Sequence, residues 1–131
     1  MIKRYNNFNE SKKDKFPNIQ KKEFFGFTIY IGRDAKSNDY LTFNTAENED
    51  IWMHVKGHPG SHVVIRVREN LPTPEIIKYA AELAKRNSKA SRDNNVTVVY
   101  CQTKFVKKEP GMNDGQVRVD YNNSEEIIIW F

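Results

Sequence analysis

Hydrophobic and polar positions recur with a period that changes along the chain. Phe25, Phe27, Ile29 and Ile31, headed by Phe24, repeat at period two and stop at Gly32. That spacing predicts a half-buried strand, because successive strand side chains face opposite ways. Ile51 to Val55 and His62 to Val67 read as two further strands. Between them, Gly57-His58-Pro59-Gly60 forms a turn in which Pro presets φ and Gly accepts a positive one. The period then becomes helical. Ile76, Ile77, Ala80, Ala81, Leu83 and Ala84 make one apolar stripe, with Thr73 as cap, Pro74 in the first turn, and Lys85 and Arg86 at the negative end of the helix dipole. The pattern predicts a helix over about 73–87.

Tyr40, Leu41 and Phe43 place apolar groups on one side of a second, short helix over about 38–46, for which Ser37 or Asn38 would be the cap. Val96 to Cys101, a segment near Lys104 to Lys107, Gln116 to Asp120 and Glu126 to Phe131 read as strands. Gly111, Asn113, Asp114, Gly115 and the pair Asn122-Asn123 mark the turns between them. The expected class is α+β with a mostly antiparallel sheet. The 131 residues suit one hydrophobic core, so a single domain over 23–131 is expected, preceded by a flexible basic arm over 1–22.

Charge changes this picture by its position. Residues 1–22 hold seven Lys and Arg against Glu10 and Asp14, a net +5 that exceeds the +4 of the whole chain. Within the body, residues 85–108 carry Lys85, Arg86, Lys89, Arg92, Lys104, Lys107 and Lys108 against Asp93 alone. Such a cluster is either a polyanion-binding face or a solvated basic loop. Cys101 is the single cysteine and lies in an apolar stretch, which suits a reducing compartment, so the cytoplasm is the expected location. The N-terminus lacks the apolar centre of a signal peptide, and no 18-residue apolar run follows, so no membrane association is expected. Oligomeric state is not legible in these patterns.

All three histidines fall at steps of four, His54, His58 and His62. On a continuous helix that spacing would align metal ligands, but Pro59-Gly60 interrupts any such helix and no second His or Cys cluster completes a shell; no metal or cofactor is expected. Flanking a turn, the imidazoles could contact phosphate or stack on bases, or His62 could satisfy buried backbone groups. Ser61, His62 and Asp50 include the residue types of a nucleophile and base, yet adjacent residues of a strand point to opposite faces and no oxyanion loop surrounds the serine. Trp52 is either core or shares an outer face with His54. Arg33, at the strand end after Gly32, either reaches out to a phosphate or closes a salt bridge with Asp34 or Asp39.

The segments Ile31-Gly32-Arg33-Asp34, Asn38-Asp39-Tyr40-Leu41-Thr42, Asp50-Ile51-Trp52-Met53-His54 and Pro59-Gly60-Ser61-His62-Val63-Val64 together resemble the signature of the NFACT family RNA-binding domain. Weaker agreement runs through Ala80-Ala81 and Ser88 to Val96, Val98, Tyr100 and Val106, so the resemblance covers about 23–108. It departs at Asp34, where Asn is usual, and in the loose Lys107-Lys108-Glu109-Pro110-Gly111 segment. The family's larger proteins act in ribosome-associated quality control, binding the large ribosomal subunit and transfer RNA and directing untemplated tailing of stalled chains. The resemblance therefore implies RNA binding, to transfer RNA or ribosomal RNA, in a stand-alone form of the domain to which the tailing activity does not transfer.

With the local charge, it implies a recognition surface of Arg33, Asn38 and Asp39 at one corner and Trp52, His54, Lys56, Ser61 and His62 along the turn. Lys85, Arg86, Lys89, Arg92 and Lys107 would add phosphate affinity. No catalytic residue is expected. Two alternatives stay open: an RNA-processing or RNA-modifying enzyme using Asp39, Asp50, His54, Ser61 and His62 for acid–base chemistry, and a protein-interaction domain docking on a ribosomal or larger partner.

Overall fold

The computed structural model describes residues 15–131. Strands β1 (Ile19–Phe24), β2 (Phe27–Gly32), β3 (Ile51–Val55), β4 (Val63–Ile65), β5 (Val96–Gln102) and β8 (Glu125–Ile129) form a six-stranded sheet in the order β1-β2-β4-β3-β5-β8. Every pairing in it is antiparallel. Helix α1 (Ala35–Tyr40) continues as a π-helical turn over Leu41–Thr45, and helix α2 is Pro74–Arg86. Two short strands, β6 (Val106–Lys107) and β7 (Arg118–Val119), make a separate ribbon. The fold is α+β, as the sequence predicts.

Both faces of the sheet are covered, and that explains the near-continuous apolar runs in its central strands. On one face Ile76, Ala80, Leu83 and Ala84 of α2 pack against Ile31, Met53, Val55, Val63, Ile65 and Val98. On the other, Trp52, Val64, Val99 and Cys101 pack with Leu41 from the π-helical turn and Val106 from the ribbon. Met53 and Val55 therefore face α2, whereas Trp52 and His54 face α1 and the ribbon. Trp52 is core, and so, from the opposite side, is Met53. Cys101 lies buried in the second layer, which pushes its thiol up to about 11.

Helix α2 begins as predicted, with the Thr73 hydroxyl accepting from the Ile76 N–H and Pro74 in the first turn. Other boundaries differ. The expected arm over 1–22 ends earlier, since Ile19 to Lys22 pair with Ile29 to Gly32 in β1; residues 1–14 lie outside the described ones. The strand predicted to start at Phe24 is a hairpin, turning at Phe25 and Gly26 with both φ positive, at 46° and 83°. The short helix starts at Ala35 instead of Asn38, because the Asp34 carboxylate already accepts the Ser37 N–H at 2.8 Å. That leaves Ser37 and Asn38 inside the helix, buried and free to bond elsewhere. The segments 104–107 and 116–120 supply only two paired residues each, the rest being 3₁₀ turn or loop.

Candidate nucleic-acid interface

The site is assembled where α1, the β3–β4 turn and the loop after β6 meet. Gly32 ends β2 directly under α1, and a Cβ there would lie 2.0 Å from Asn38 Oδ1. Absence of a side chain lets Asn38 enter, where Oδ1 accepts the His62 backbone N–H at 3.0 Å and Nδ2 donates to the Gly60 carbonyl. The Ser61 hydroxyl donates to the Gly32 carbonyl, and the Gly32 N–H donates to the His62 carbonyl at 3.0 Å. Gly60 meets the chain after α2 equally closely: a Cβ on it would sit 2.6 Å from that of Ser88. Gly32, Asn38, Gly60, Ser61 and His62 thus form one interlocked corner. Because Asp34 caps α1, the Asn usual at that position would serve the same purpose.

Behind the corner runs a buried polar relay. Trp52 Nε1–H donates to Thr42 Oγ1 at 3.1 Å, and Thr42 Oγ1 lies 2.7 Å from His62 Nδ1. His62 Nε2 is 3.1 Å from the Gly115 carbonyl. A carbonyl only accepts, so Nε2 carries the proton and Nδ1 accepts the Thr42 hydroxyl, which fixes a neutral tautomer. Burial, reinforced by the neighbouring His54 imidazole, pushes His62 down to about 3. The same Gly115 donates its N–H to Asp39 Oδ1 at 3.0 Å, while Asp39 Oδ2 pairs with Lys108 at 2.8 Å. Both polar groups of one glycine therefore tie the loop after β6 to the corner.

In front of this framework lies a cleft of about 850 Å³, bounded by the Arg33–Ala35 corner, the Trp52–Ser61 segment and the loop from Met112 to Tyr121. Arg33 and His58 are exposed on its rim, and Arg33 bonds to the Gln20 side chain at 3.1 Å. Among the described residues Arg33 makes no ion pair, so the alternative of a salt bridge with Asp34 or Asp39 is not realised. Lys56 is exposed but paired with Glu126 at 2.7 Å, and its ammonium lies 5.4 Å from the Tyr121 ring centre. His54 is half-buried on the floor, 21° from parallel with the Trp52 ring and 5.5 Å from His62 between ring centres. Burial lowers its pKa, against the carbonyls of Gly60 and Val55, which raise it.

Several expected contact residues are turned inward by this arrangement. Trp52 and His62 are 1% exposed and Asn38 7%, with their polar atoms spent inside the corner. Ser61 is likewise committed to the Gly32 carbonyl, so it makes no nucleophile–base pair with His62. These residues shape the surface and do not present polar atoms to it. Asp39 is held by Gly115 and Lys108. Asp50, an acid–base candidate, is a buried strut: its carboxylate accepts from Arg66 at 2.9 Å and from the Glu47 and Val67 backbone N–H groups.

The basic region does not form one face. Lys85 is buried and its ammonium donates to the Ser91 carbonyl at 2.7 Å. Lys104 pairs with Glu49, and Lys107 lies with Arg118 and Asp120 beside a different groove. Arg86, Lys89 and Arg92 are exposed on a segment sewn to the turn beside the cleft: Lys89 N–H donates to the Pro59 carbonyl and Ser61 N–H to the Asn87 carbonyl, both at 2.9 Å. Tyr121, 57% exposed on the cleft wall, escaped the sequence reading, which saw only a turn at Asn122-Asn123; an isolated aromatic beside that turn was the available signal. Among the described residues no three His, Cys, Asp or Glu side chains gather as metal ligands, and no helix is long and apolar enough to cross a membrane.

The sequence profile described as the NFACT protein RNA binding domain matches residues 15–121. The chain belongs to that family. It is 43% identical over 95 residues to the Rqc2 homolog RqcH of Bacillus subtilis, a match covering 72% of this chain and 16% of that protein. Coiled-coil domain-containing protein 25 of Mus musculus is 36% identical over 108 residues, 78% of this chain and 51% of the relative. The C-terminal part of the fibronectin/fibrinogen-binding protein from Streptococcus suis superimposes with a TM-score of 0.78 at 32% identity, covering 86% of this chain and 45% of that one. The chain thus spans between a sixth and a half of the relatives' length. The family is described by RNA binding and not by a reaction, and the interlocked corner lies within the matched residues.

Proposed function

We propose that this NFACT domain binds structured RNA, transfer or ribosomal, as a non-catalytic module of ribosome-associated quality control in the cytoplasm, with the large ribosomal subunit as its setting. The observation that carries the reading is the mouth of the cleft. Arg33 and His58 stand on its rim, and Lys89 and Arg92 project from a segment bonded to the same turn. An arginine without an ionic partner among the described residues is suited to a bidentate phosphate contact. Lys56 can exchange Glu126 for a phosphate at little cost, since an exposed, solvent-screened ion pair contributes little. The similarity to RqcH supports the quality-control setting.

Fluorescence anisotropy with a labelled transfer RNA tests the reading. Affinity should fall steeply between about 50 and 200 mM salt, and Arg33→Ala should weaken binding and lower the log–log salt slope by about 1. Binding that ignores salt, or is absent, contradicts it. A protein-docking role is separated by ribosome pull-down after ribonuclease treatment, because association through RNA is lost there and association through protein persists.

A further inference from the structure

We propose that the cleft admits an unpaired base of the bound RNA, so that the domain prefers loops and single-stranded segments over duplex; this rests on the RNA-binding reading above. Two planar groups face the same cleft from different elements. Tyr121, on the turn after β7, is 57% exposed there, and His54 lies on the floor with its ring near-parallel to Trp52. Exposed aromatic faces are the means by which proteins hold unstacked bases, whereas a base inside a duplex has no free face to offer.

The charge inside the cleft points the same way. The cleft lining as a whole carries Arg33 and Lys56 against Asp34 and Asp114, so its fixed charges balance and suit an uncharged base better than a run of phosphates. The free cations lie outside, at the rim and on the segment 86–92, where the phosphates flanking an inserted base would pass. A volume of about 850 Å³ lies within the range of small-ligand sites. His54 is half-buried on the cleft floor, and burial lowers its pKa, which favours the uncharged ring beside an uncharged base. Its carbonyl neighbours Gly60 and Val55 belong to the same turn, which the interlocked corner holds in place.

The test uses a hairpin RNA carrying 2-aminopurine either in its loop or in its stem, and a blunt duplex of equal length. The full chain should bind the hairpin at least about tenfold more tightly than the duplex, with an emission change from the loop probe and none from the stem probe. Tyr121→Ala should remove most of that preference, by the roughly 5- to 150-fold that one stacked base contributes, and Tyr121→Phe should restore it. Equal affinity for hairpin and duplex, or a silent loop probe, overturns this inference while leaving RNA binding standing. Failure to bind any of the three RNAs overturns the RNA reading itself.

Discussion

Gly32 and Asn38 occupy one space: the amide oxygen of Asn38 lies 2.0 Å from where a Gly32 Cβ would be, and from there it accepts the His62 N–H at 3.0 Å. The corner that frames the cleft depends on this approach. Gly32→Ala should force Asn38 out, costing about 1–3 kcal/mol from overpacking and the lost buried hydrogen bond, read as a lower midpoint in urea.

The relay behind the corner gives a second outcome. Thr42→Val keeps the shape but removes the hydroxyl that serves both Trp52 Nε1–H and His62 Nδ1. Two buried groups are then unpartnered, so stability should drop by about 1–3 kcal/mol. RNA affinity, measured below the unfolding transition, should change little, since Thr42 is buried.

His62 also makes stability depend on pH. Unfolded, it takes a proton near 6.5; folded, not until about 3. In that window the unfolded state binds more protons, so stability falls as pH falls from about 6.5, by up to about 1.4 kcal/mol per pH unit, and this contribution is complete above about 6.5. His62→Gln should be less stable at pH 7 yet show a flatter slope between about pH 6.5 and 4.5 in urea melts. An identical slope in both proteins would contradict the buried, neutral assignment.

The lysines of the 85–92 segment should divide by burial. Lys85→Met retains the buried stem but leaves the Ser91 carbonyl unpartnered, so it should lower stability by roughly 1 kcal/mol and leave RNA binding intact. Lys89→Glu combined with Arg92→Glu should do the reverse, weakening transfer RNA binding and reducing the salt slope by about 1 per lost cation at unchanged stability.

These distinctions mark what could be read in the sequence. The stripe from Ile76 to Ala84 and its Thr73 cap are local, and the helix stands where they place it. Period two identified the strands, but Phe24-Phe25-Gly26-Phe27 keeps the strand rhythm through a turn, so the β1–β2 hairpin was hidden. Whether Trp52 is core or shares an outer face with His54 stayed open in the sequence, because α1 and the β6–β7 ribbon that cover it come from distant parts of the chain. Lys85 and Lys89 look alike as letters; only the fold of the segment after α2 separates a buried ammonium from an exposed one. The pattern holding Gly32, Asn38, Gly60, Ser61 and His62 was visible as a signature. Its meaning as scaffold, with Arg33, His58 and Tyr121 as the open surface, required the contacts.

Amide chemical-shift mapping on addition of transfer RNA tests the central claim most directly, because it reports where RNA sits on the folded chain. Perturbations should centre on Arg33, on Lys56 to Ser61 and on Gly115 to Tyr121, extending to Lys89 and fading with added salt. Perturbations confined to the exposed end of β8 around Ile128 and Trp130, with the cleft unchanged, would contradict it.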